Sequence, residues 1–438
     1  MATKKKKVWL VSVDMGYGHQ RAAYPLKDIA YGRIITANSD KNISRAEQAT
    51  WQRLKTLYEN VSRMRTLPVI GGLLWKAYDS FQSISPYYPF RDLSKPNLGA
   101  LSLHKLIKKG FMQGIVDYTK KLRMPYVATF YAPALAAAYA HVKEVYCVVT
   151  DTDINRAWVP VDPDKNKLYY LTPSRESTKR LMAYGVPEER IFFTGFPLPK
   201  ENLGSNLEIL KRDVGNRLPN LDPNRVFLNR YHDTLKKHLG GHLRPHSNHP
   251  LTITYAVGGA GAQKEIGYLI MKSLRDKILG HKIKVNLIAG TRLDVELYFE
   301  ELVRKLNLQK ELGHHLFILF TLDKKHHFKA FNEILHTTDI LWTKPSELVF
   351  YTGLGLPIIM SPPLGAHEVM NQKWLMRMGS GLQQENPVYT SEWLFDWLER
   401  GILAEAAWEG FTEAPRYGTY NIEKVVFSKE KRRVKFRY

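Results

Sequence analysis

Thr343-Lys344-Pro345-Ser346-Glu347 begins the stretch that decides the fold. It runs on through Gly353, Gly355 and Pro357 to Ile358-Ile359-Met360, then to Ser361-Pro-Pro-Leu-Gly365-Ala-His367-Glu368-Val-Met-Asn371. An apolar run, Ile340-Leu341-Trp342, leads into it. Two short apolar runs separated by a polar, glycine-bearing segment read as strand, loop, helix and strand. Strands that alternate with helices build a parallel sheet covered on both faces. In such sheets ligands bind outside the carboxyl ends of the strands, where this stretch gathers its polar groups.

The same beat extends in both directions. Upstream, the strand Leu251–Val257 meets Gly258-Gly259-Ala-Gly261-Ala-Gln263 and a helix to about Leu279. A strand, a glycine loop and a helix start can hold a diphosphate on backbone N–H groups. The Lys-Ser/Thr of a P-loop is missing, which argues against that kind of ATP hydrolysis. The next strand ends at Gly290, and a further helix, strand and helix lead to residue 335. In the first half, the strand Val8–Val13 ends at Asp14-Met-Gly16-Tyr-Gly18-His19. The strand Tyr126–Phe130 follows, and Val145–Thr150 then runs into Asp151-Thr-Asp153-Ile-Asn155-Arg-Ala-Trp158. Strands at 169–174 and 191–197 close this half.

The expected fold is therefore α/β, with two Rossmann-like doubly wound domains. The expected organisation is an N-terminal domain over 1–200 with a helical insert at 42–111, a basic, His-rich linker over 201–250, a C-terminal domain over 251–390, and a helix with a basic tail over 391–438. His19, at a strand-end turn, is a candidate general base near neutral pH. A polar residue that merely starts a helix is the competing reading.

Composition narrows the partners. At 438 residues two cores are the default, and 44% apolar content marks a globular chain. The single cysteine, Cys147, excludes a disulfide framework and Cys-based zinc sites, and its apolar surroundings predict a buried, inert thiol. The five histidines of 232–249 match no metal-ligand spacing, so no metal is expected. No apolar run reaches the ~18 residues of a membrane span. The opening Met-Ala-Thr-Lys-Lys-Lys-Lys lacks the pattern of a signal peptide. A formal charge of +22 favours polyanions: nucleic acid, an anionic membrane or phosphate-bearing substrates. In the insert, Trp51, Leu54, Leu57, Tyr58 and Val61 recur at helical spacing beside Arg53, Lys55, Arg63 and Arg65. Leu67–Tyr78, Leu101, Leu103 and Leu106 extend the pattern. Such faces either cover a core or lie on a membrane surface. No aromatic-basic RNA-binding signature or helix-turn-helix is present, so nucleic acid is not the expected partner.

Together these motifs resemble the two-domain GT-B glycosyltransferases, in particular the branch with monogalactosyldiacylglycerol synthase and the processive diacylglycerol glucosyltransferases. The order that carries the likeness is Gly16-Tyr-Gly18-His19, then Val149-Thr-Asp151 to Trp158, Thr194-Gly-Phe-Pro197, Gly258-Gly-Ala-Gly261, and Thr343-Lys-Pro345, Gly355-Leu-Pro357 and Glu368-Val-Met-Asn371. It spans residues 8–382 and leaves out the basic middle segment and the tail.

The resemblance implies two Rossmann-like domains facing across a cleft. It implies a glycosyltransferase that moves a hexose from a nucleotide-sugar, usually UDP-linked, to a lipid or lipid-linked acceptor. No cofactor is implied. The place it implies is the cytoplasmic, inner face of an anionic membrane, held peripherally. His19 takes the role of base and Asp151 orients it or the acceptor, with Gly16, Gly18, Asn155 and Trp158 on the acceptor side. Gly258, Gly259, Gly261, Gln263, Gly290, Lys344, Ser346, Glu347, Gly365, His367, Glu368 and Asn371 fall to the nucleotide-sugar. The chain departs from the pattern at three places. Asn155 stands where the family has His, Lys344-Pro-Ser-Glu347 lacks an intervening Gly-Gly-x-Thr-x, and Ala366-His367-Glu368 replaces Gly-Gln-Glu. Two other readings stay open: a UDP-sugar 2-epimerase on the same fold, and a non-catalytic basic binding protein on a decayed scaffold.

Overall fold

The computed structural model describes residues 6–64, 83–259, 261–431 and 434–436. The side chains of 54, 55 and 57–64 lie outside that description, as do Leu67–Tyr78, Arg65, Arg432, Arg433 and Arg437, so part of the predicted basic-apolar face and tail falls there. The chain forms two compact units. The first comprises Met1–Leu198, Leu364–Asn371 and Tyr417–Tyr438, and the second Pro199–Pro363 and Gln372–Arg416.

The first unit is built on six parallel strands: β1 (Trp9–Ser12), β2 (Ile35–Thr36), β3 (Tyr126–Ala128), β4 (Val145–Val148), β5 (Leu168–Thr172) and β6 (Ile191–Phe193), in the order β2-β1-β3-β4-β5-β6. Alternate residues serve two cores. Trp9, Val11, Val145 and Cys147 enter one cluster, and Val8, Leu10, Tyr146 and Val148 the other. A period of two with both faces buried is the signature of a doubly wound sheet, and it explains why these strands read as unbroken apolar runs. Burial raises the Cys147 thiol well above its ordinary range, leaving it unreactive.

The second core also takes Ile422, Val425 and Val426 from the helix Gly418–Phe427. Thr419 Oγ1 donates to Leu198 O at 2.5 Å and Asn421 Nδ2 to Thr194 O at 3.0 Å. Gly418 is pressed onto the Phe196 carbonyl, where a Cβ would collide. The helix Gly418–Phe427, part of the stretch 391–438 expected as an appended helix and tail, thus completes the first unit's core.

The second unit repeats the architecture with β7 (Leu251–Ala256), β8 (Ile283–Gly290), β9 (Leu316–Phe320), β10 (Ile340–Thr343), β11 (Ile358–Met360) and β12 (Gly381–Gln383), ordered β12-β11-β10-β7-β8-β9 and all parallel. The α/β expectation of two Rossmann-like sheets holds.

Residues 201–250 are not a linker. The helix Glu208–Leu221 buries Leu210, Val214, Leu218 and Leu221 along one stripe. Its Arg217, fully buried, donates to Thr338 O at 2.7 Å, Leu354 O at 2.8 Å, Gly355 O at 3.0 Å and Leu335 O at 3.2 Å. One guanidinium satisfies four carbonyls from two stretches of the second unit, which makes the segment part of its core. Two short helices, Val226–Arg230 and His232–Leu239, follow in the same segment. The segment's histidines go to separate partners: His249 Nε2 to Asp339 at 3.1 Å, and His238 edge-on to Trp408 at 5.6 Å.

Candidate functional site

Strand order locates the first unit's crevice. β1 has β2 on one side and β3 on the other, so successive connections leave it in opposite directions. The carboxyl ends of strands at such a switch point frame a ligand site. Here they present the loop from Val13 to Gly18, then Thr129-Phe130-Tyr131, then Thr150-Asp151.

His19 lies in the first turn of the helix Gly18–Ala23, after a loop in which Gly16 takes φ +85°, a backbone state that glycine reaches at little cost. Its Nδ1 is 2.9 Å from Thr129 O, a group that only accepts, so Nδ1 carries the proton. Thr150 Oγ1 lies 3.2 Å from the same nitrogen, and Thr129 Oγ1 donates to His19 O at 2.7 Å. The basic lone pair is therefore on Nε2. A main-chain carbonyl sets this tautomer, while Asp151, the expected orienting acid, accepts from Asn371 Nδ2 at 3.4 Å.

His19, Asp151, Asn155, Trp158 and His367 meet around one cavity of about 130 Å³, which Met15, Ile84, Phe130, Tyr131, Asp153 and Ile154 also line. Phe130, Tyr131 and Trp158 put an aromatic face beside the polar side chains of its wall. His19 lies 4.6 Å from Phe130, Phe130 4.2 Å from Tyr131, and Tyr131 5.0 Å from Trp158. Burial pushes the Tyr131 phenol up to about 12, so it stays protonated. Below the cavity, Asp153 holds buried Arg180 in a two-bond clamp at 2.8 and 2.7 Å. Arg180 also donates to Ser85 O at 2.6 Å and stacks 3.9 Å over Tyr87, fixing the segment that brings Ile84 to the wall. Asn155 caps the turn Arg156–Trp158 through Ala157 N at 3.0 Å, which turns Trp158 inward. Sequence reasoning did not single out Phe130, Tyr131 or Met15. Aromatic residues at the carboxyl end of β3 were the available signal.

Four residues expected with the nucleotide-sugar domain, Gly365, His367, Glu368 and Asn371, group with the first unit instead. Glu368, 1% exposed, accepts from Leu364 N at 2.7 Å, and its carboxylate holds the turn that starts the helix Ala366–Arg377. Asn371 is fully buried, and its Oδ1 accepts from Thr152 N at 3.0 Å and Thr152 Oγ1 at 2.8 Å. Both side chains are committed to protein groups, and only His367 of the four lines the cavity. Gly365 sits where a Cβ would come 3.0 Å from the His367 ring.

The second unit has its own switch point. β7 lies between β10 and β8, and Ala256 pairs with Thr343 at the carboxyl edge. The loops leaving β7 and β10 touch, since a Cβ on Gly258 would stand 2.5 Å from Lys344 Cε. A glycine here lets the Lys344 ammonium lie across the loop. Gly259 follows in the same turn. Gly261 (φ +73°) and Gln263 (φ +68°) complete the bend into the helix Lys264–Leu279, and no side chain caps that helix start. Gln263 is braced from both ends, by Tyr255 OH to its carbonyl at 2.6 Å and by its own Nε2 to Pro362 O at 2.8 Å. Ser346 opens the turn Glu347–Leu354, half-buried like Lys344 and Glu347. Gly290 (φ +72°) ends β8 on the same edge. A glycine loop, an uncapped helix start and a lysine together make a cationic, N–H-rich rim suited to a diphosphate.

Among the described residues no three His, Cys, Asp or Glu side chains converge as a metal set, and no helix is long and apolar enough to cross a membrane. No family model matches the sequence, and no curated protein is similar to it. Solved structures share a distant likeness of fold. UDP-GlcNAc 2-epimerase from Neisseria meningitidis, bound to UDP-GlcNAc, is 12% identical over 76% of this chain and 83% of its own, with a TM-score of 0.42. S. aureus MnaA, solved with UDP, is 13% identical over 81% and 85%, with a TM-score of 0.43. A glycosyltransferase from Rickettsia africae is 16% identical over 85% and 94%, with a TM-score of 0.38. At such values the likeness carries nothing about chemistry, and the fold rests on the two strand orders.

Proposed function

We propose that this chain is a nucleotide-sugar-dependent glycosyltransferase, with a UDP-linked donor and a lipid or lipid-linked acceptor. His19 carries the reading. Its Nδ1–H is taken by a main-chain carbonyl and Nε2 keeps the lone pair, beside a cavity lined on one side by the rings of Phe130, Tyr131 and Trp158. That is the arrangement of a general base for a hydroxyl held on an apolar body. His19 Nε2 removes the acceptor proton, the acceptor oxygen bonds to the sugar's anomeric carbon, and the bond from that carbon to the diphosphate breaks. The leaving diphosphate takes the charge, and the second unit's glycine loop with Gly258, Gly259 and Lys344 has the cationic, N–H-bearing character that stabilises such a group. Asp151 and Asn155 present polar groups to the acceptor. The net charge of +22 supports attachment to an anionic membrane face.

The test uses the purified full chain, radiolabelled UDP-sugars and an extract of membrane lipids. The expected result is label in the lipid phase, release of UDP, and loss of both in His19→Ala. A UDP-sugar converted to its epimer without acceptor would establish the epimerase reading. Salt-dependent retention of polyanions with no UDP affinity by calorimetry would establish the non-catalytic one.

A further inference from the structure

The first unit holds a second and larger concavity, of about 530 Å³, that the reaction proposed above does not use. It opens at the other edge of the sheet. Lys143 stands two residues before β4 and Lys167 immediately before β5, so both sit at the amino ends of strands whose carboxyl ends face the His19 cavity. Its size falls within the ~300–1,000 Å³ usual for small-molecule sites.

The lining is strongly cationic. Lys143, Lys165 and Lys167 converge from two separate loops, with His104 from the helix Leu98–Lys108 and His141 from the turn after the helix Tyr131–Tyr139. Asp162 is the one acid among the lining residues. Among the described residues none of the three lysines makes an ion pair, and His104 Nδ1 is buried with no hydrogen-bond partner. His141 holds φ +58°, an uncommon backbone state for a non-glycine residue. Three lysines and two histidines face one acid here, an excess of positive charge that an anion would offset.

The loop that carries two of the lysines is braced from beneath. Arg190 donates to Pro163 O at 3.1 Å, to Asp164 O at 3.2 Å and to Asn166 O. Asn166 Oδ1 accepts from Leu168 N at 3.0 Å, and Val161 N donates to Tyr139 OH at 3.0 Å. His104 rests edge-on against the same Tyr139 ring at 4.7 Å. A loop held in shape before binding loses little freedom when a ligand arrives.

We propose that this basin is a second ligand site that takes a phosphate-bearing group, either on a soluble molecule or on a lipid headgroup. Lys143, Lys165 and Lys167 supply the charge, and His104 and His141 donate ring N–H groups to phosphate oxygens. The inference is independent of the reading of the His19 cavity.

The test follows the imidazole nitrogens of the full chain, labelled with ¹⁵N at histidine, during titration with sodium phosphate against sodium chloride at equal ionic strength. His104→Gln and His141→Gln assign the two signals. Saturable movement of both is expected. Lys165→Ala/Lys167→Ala should weaken it about tenfold, the removal of two nearby charges, with an unchanged circular dichroism spectrum. Asp162→Asn should tighten it, and Lys344→Ala should leave it unaltered. A parallel arm uses phosphatidylcholine vesicles with and without phosphatidic acid. Saturation by free phosphate identifies a soluble ligand. Saturation only on phosphatidic acid vesicles identifies a headgroup. Signals that move equally in phosphate and chloride, with no response to the vesicles, overturn the proposal.

Discussion

The Asn371 side-chain oxygen accepts two hydrogen bonds from one residue, Thr152 N at 3.0 Å and Thr152 Oγ1 at 2.8 Å, while its amide nitrogen faces Asp151 Oδ1 at 3.4 Å. An asparagine is the residue that can accept from one neighbour and donate to the next. Asn371→Asp puts a buried carboxylate beside half-buried Asp151 and should cost about 2–4 kcal/mol of stability at pH 7. Urea denaturation at pH 7 and pH 4 checks this, since protonation at the lower pH should shrink the penalty. An equal penalty at both values would show that charge is not its cause.

His19→Ala should lower kcat at least about 100-fold, the ordinary share of a positioned base. UDP affinity measured by calorimetry should stay within about twofold of the native value, because the donor site proposed above uses the second unit's loops. Unchanged turnover in the variant would remove His19 from the mechanism.

Gly258→Ala should weaken nucleotide binding by displacing Lys344, which a Cβ would meet at 2.5 Å from Cε. In a Lys344→Ala background the same substitution should have little further effect. Such non-additivity, on the order of 1 kcal/mol, is the mark of two residues acting through one contact. Additive losses in the four-protein cycle would contradict it.

Glu47 gives the first unit a pH dependence. Burial pushes its carboxyl up to about 7, against a downward pull from the bond it accepts from Met112 N at 3.0 Å. The folded value lies above the unfolded one, so the folded state favours the proton. Stability is then complete below the unfolded value, near 4.5, and falls as pH rises toward 7 and beyond. Glu47→Gln keeps an acceptor for Met112 and carries no charge. It should raise stability at pH 8 by an amount on the order of 2 kcal/mol and leave it unchanged near pH 4.5. Thermal melts across that range decide the matter.

Much of the architecture was legible along the chain. Runs such as Leu251–Val257 and Val145–Thr150 announce strands buried on both faces, because a fully covered strand needs no polar alternation. Glycines at 16, 258, 261 and 290 mark the turns at strand ends, since their positions demand close approach or positive φ. From these the two doubly wound sheets and the general location of His19 and Lys344 follow from sequence.

Tertiary structure decided the rest, wherever a contact joins distant segments. Nothing local to Arg217 tells that its guanidinium will collect carbonyls from residues 335–355, so a buried helix read as a linker. Nothing local to Glu368 and Asn371 tells that their polar groups reach Leu364 and Thr152. The tautomer of His19 depends on the carbonyl of Thr129, 110 positions away. The cationic basin depends on three segments whose lysines and histidines meet only in the folded unit. Periodicity and turn chemistry act over a few residues and are written in the chain. Hydrogen-bond partners and the gathering of charge are set by which segments the sheet brings together.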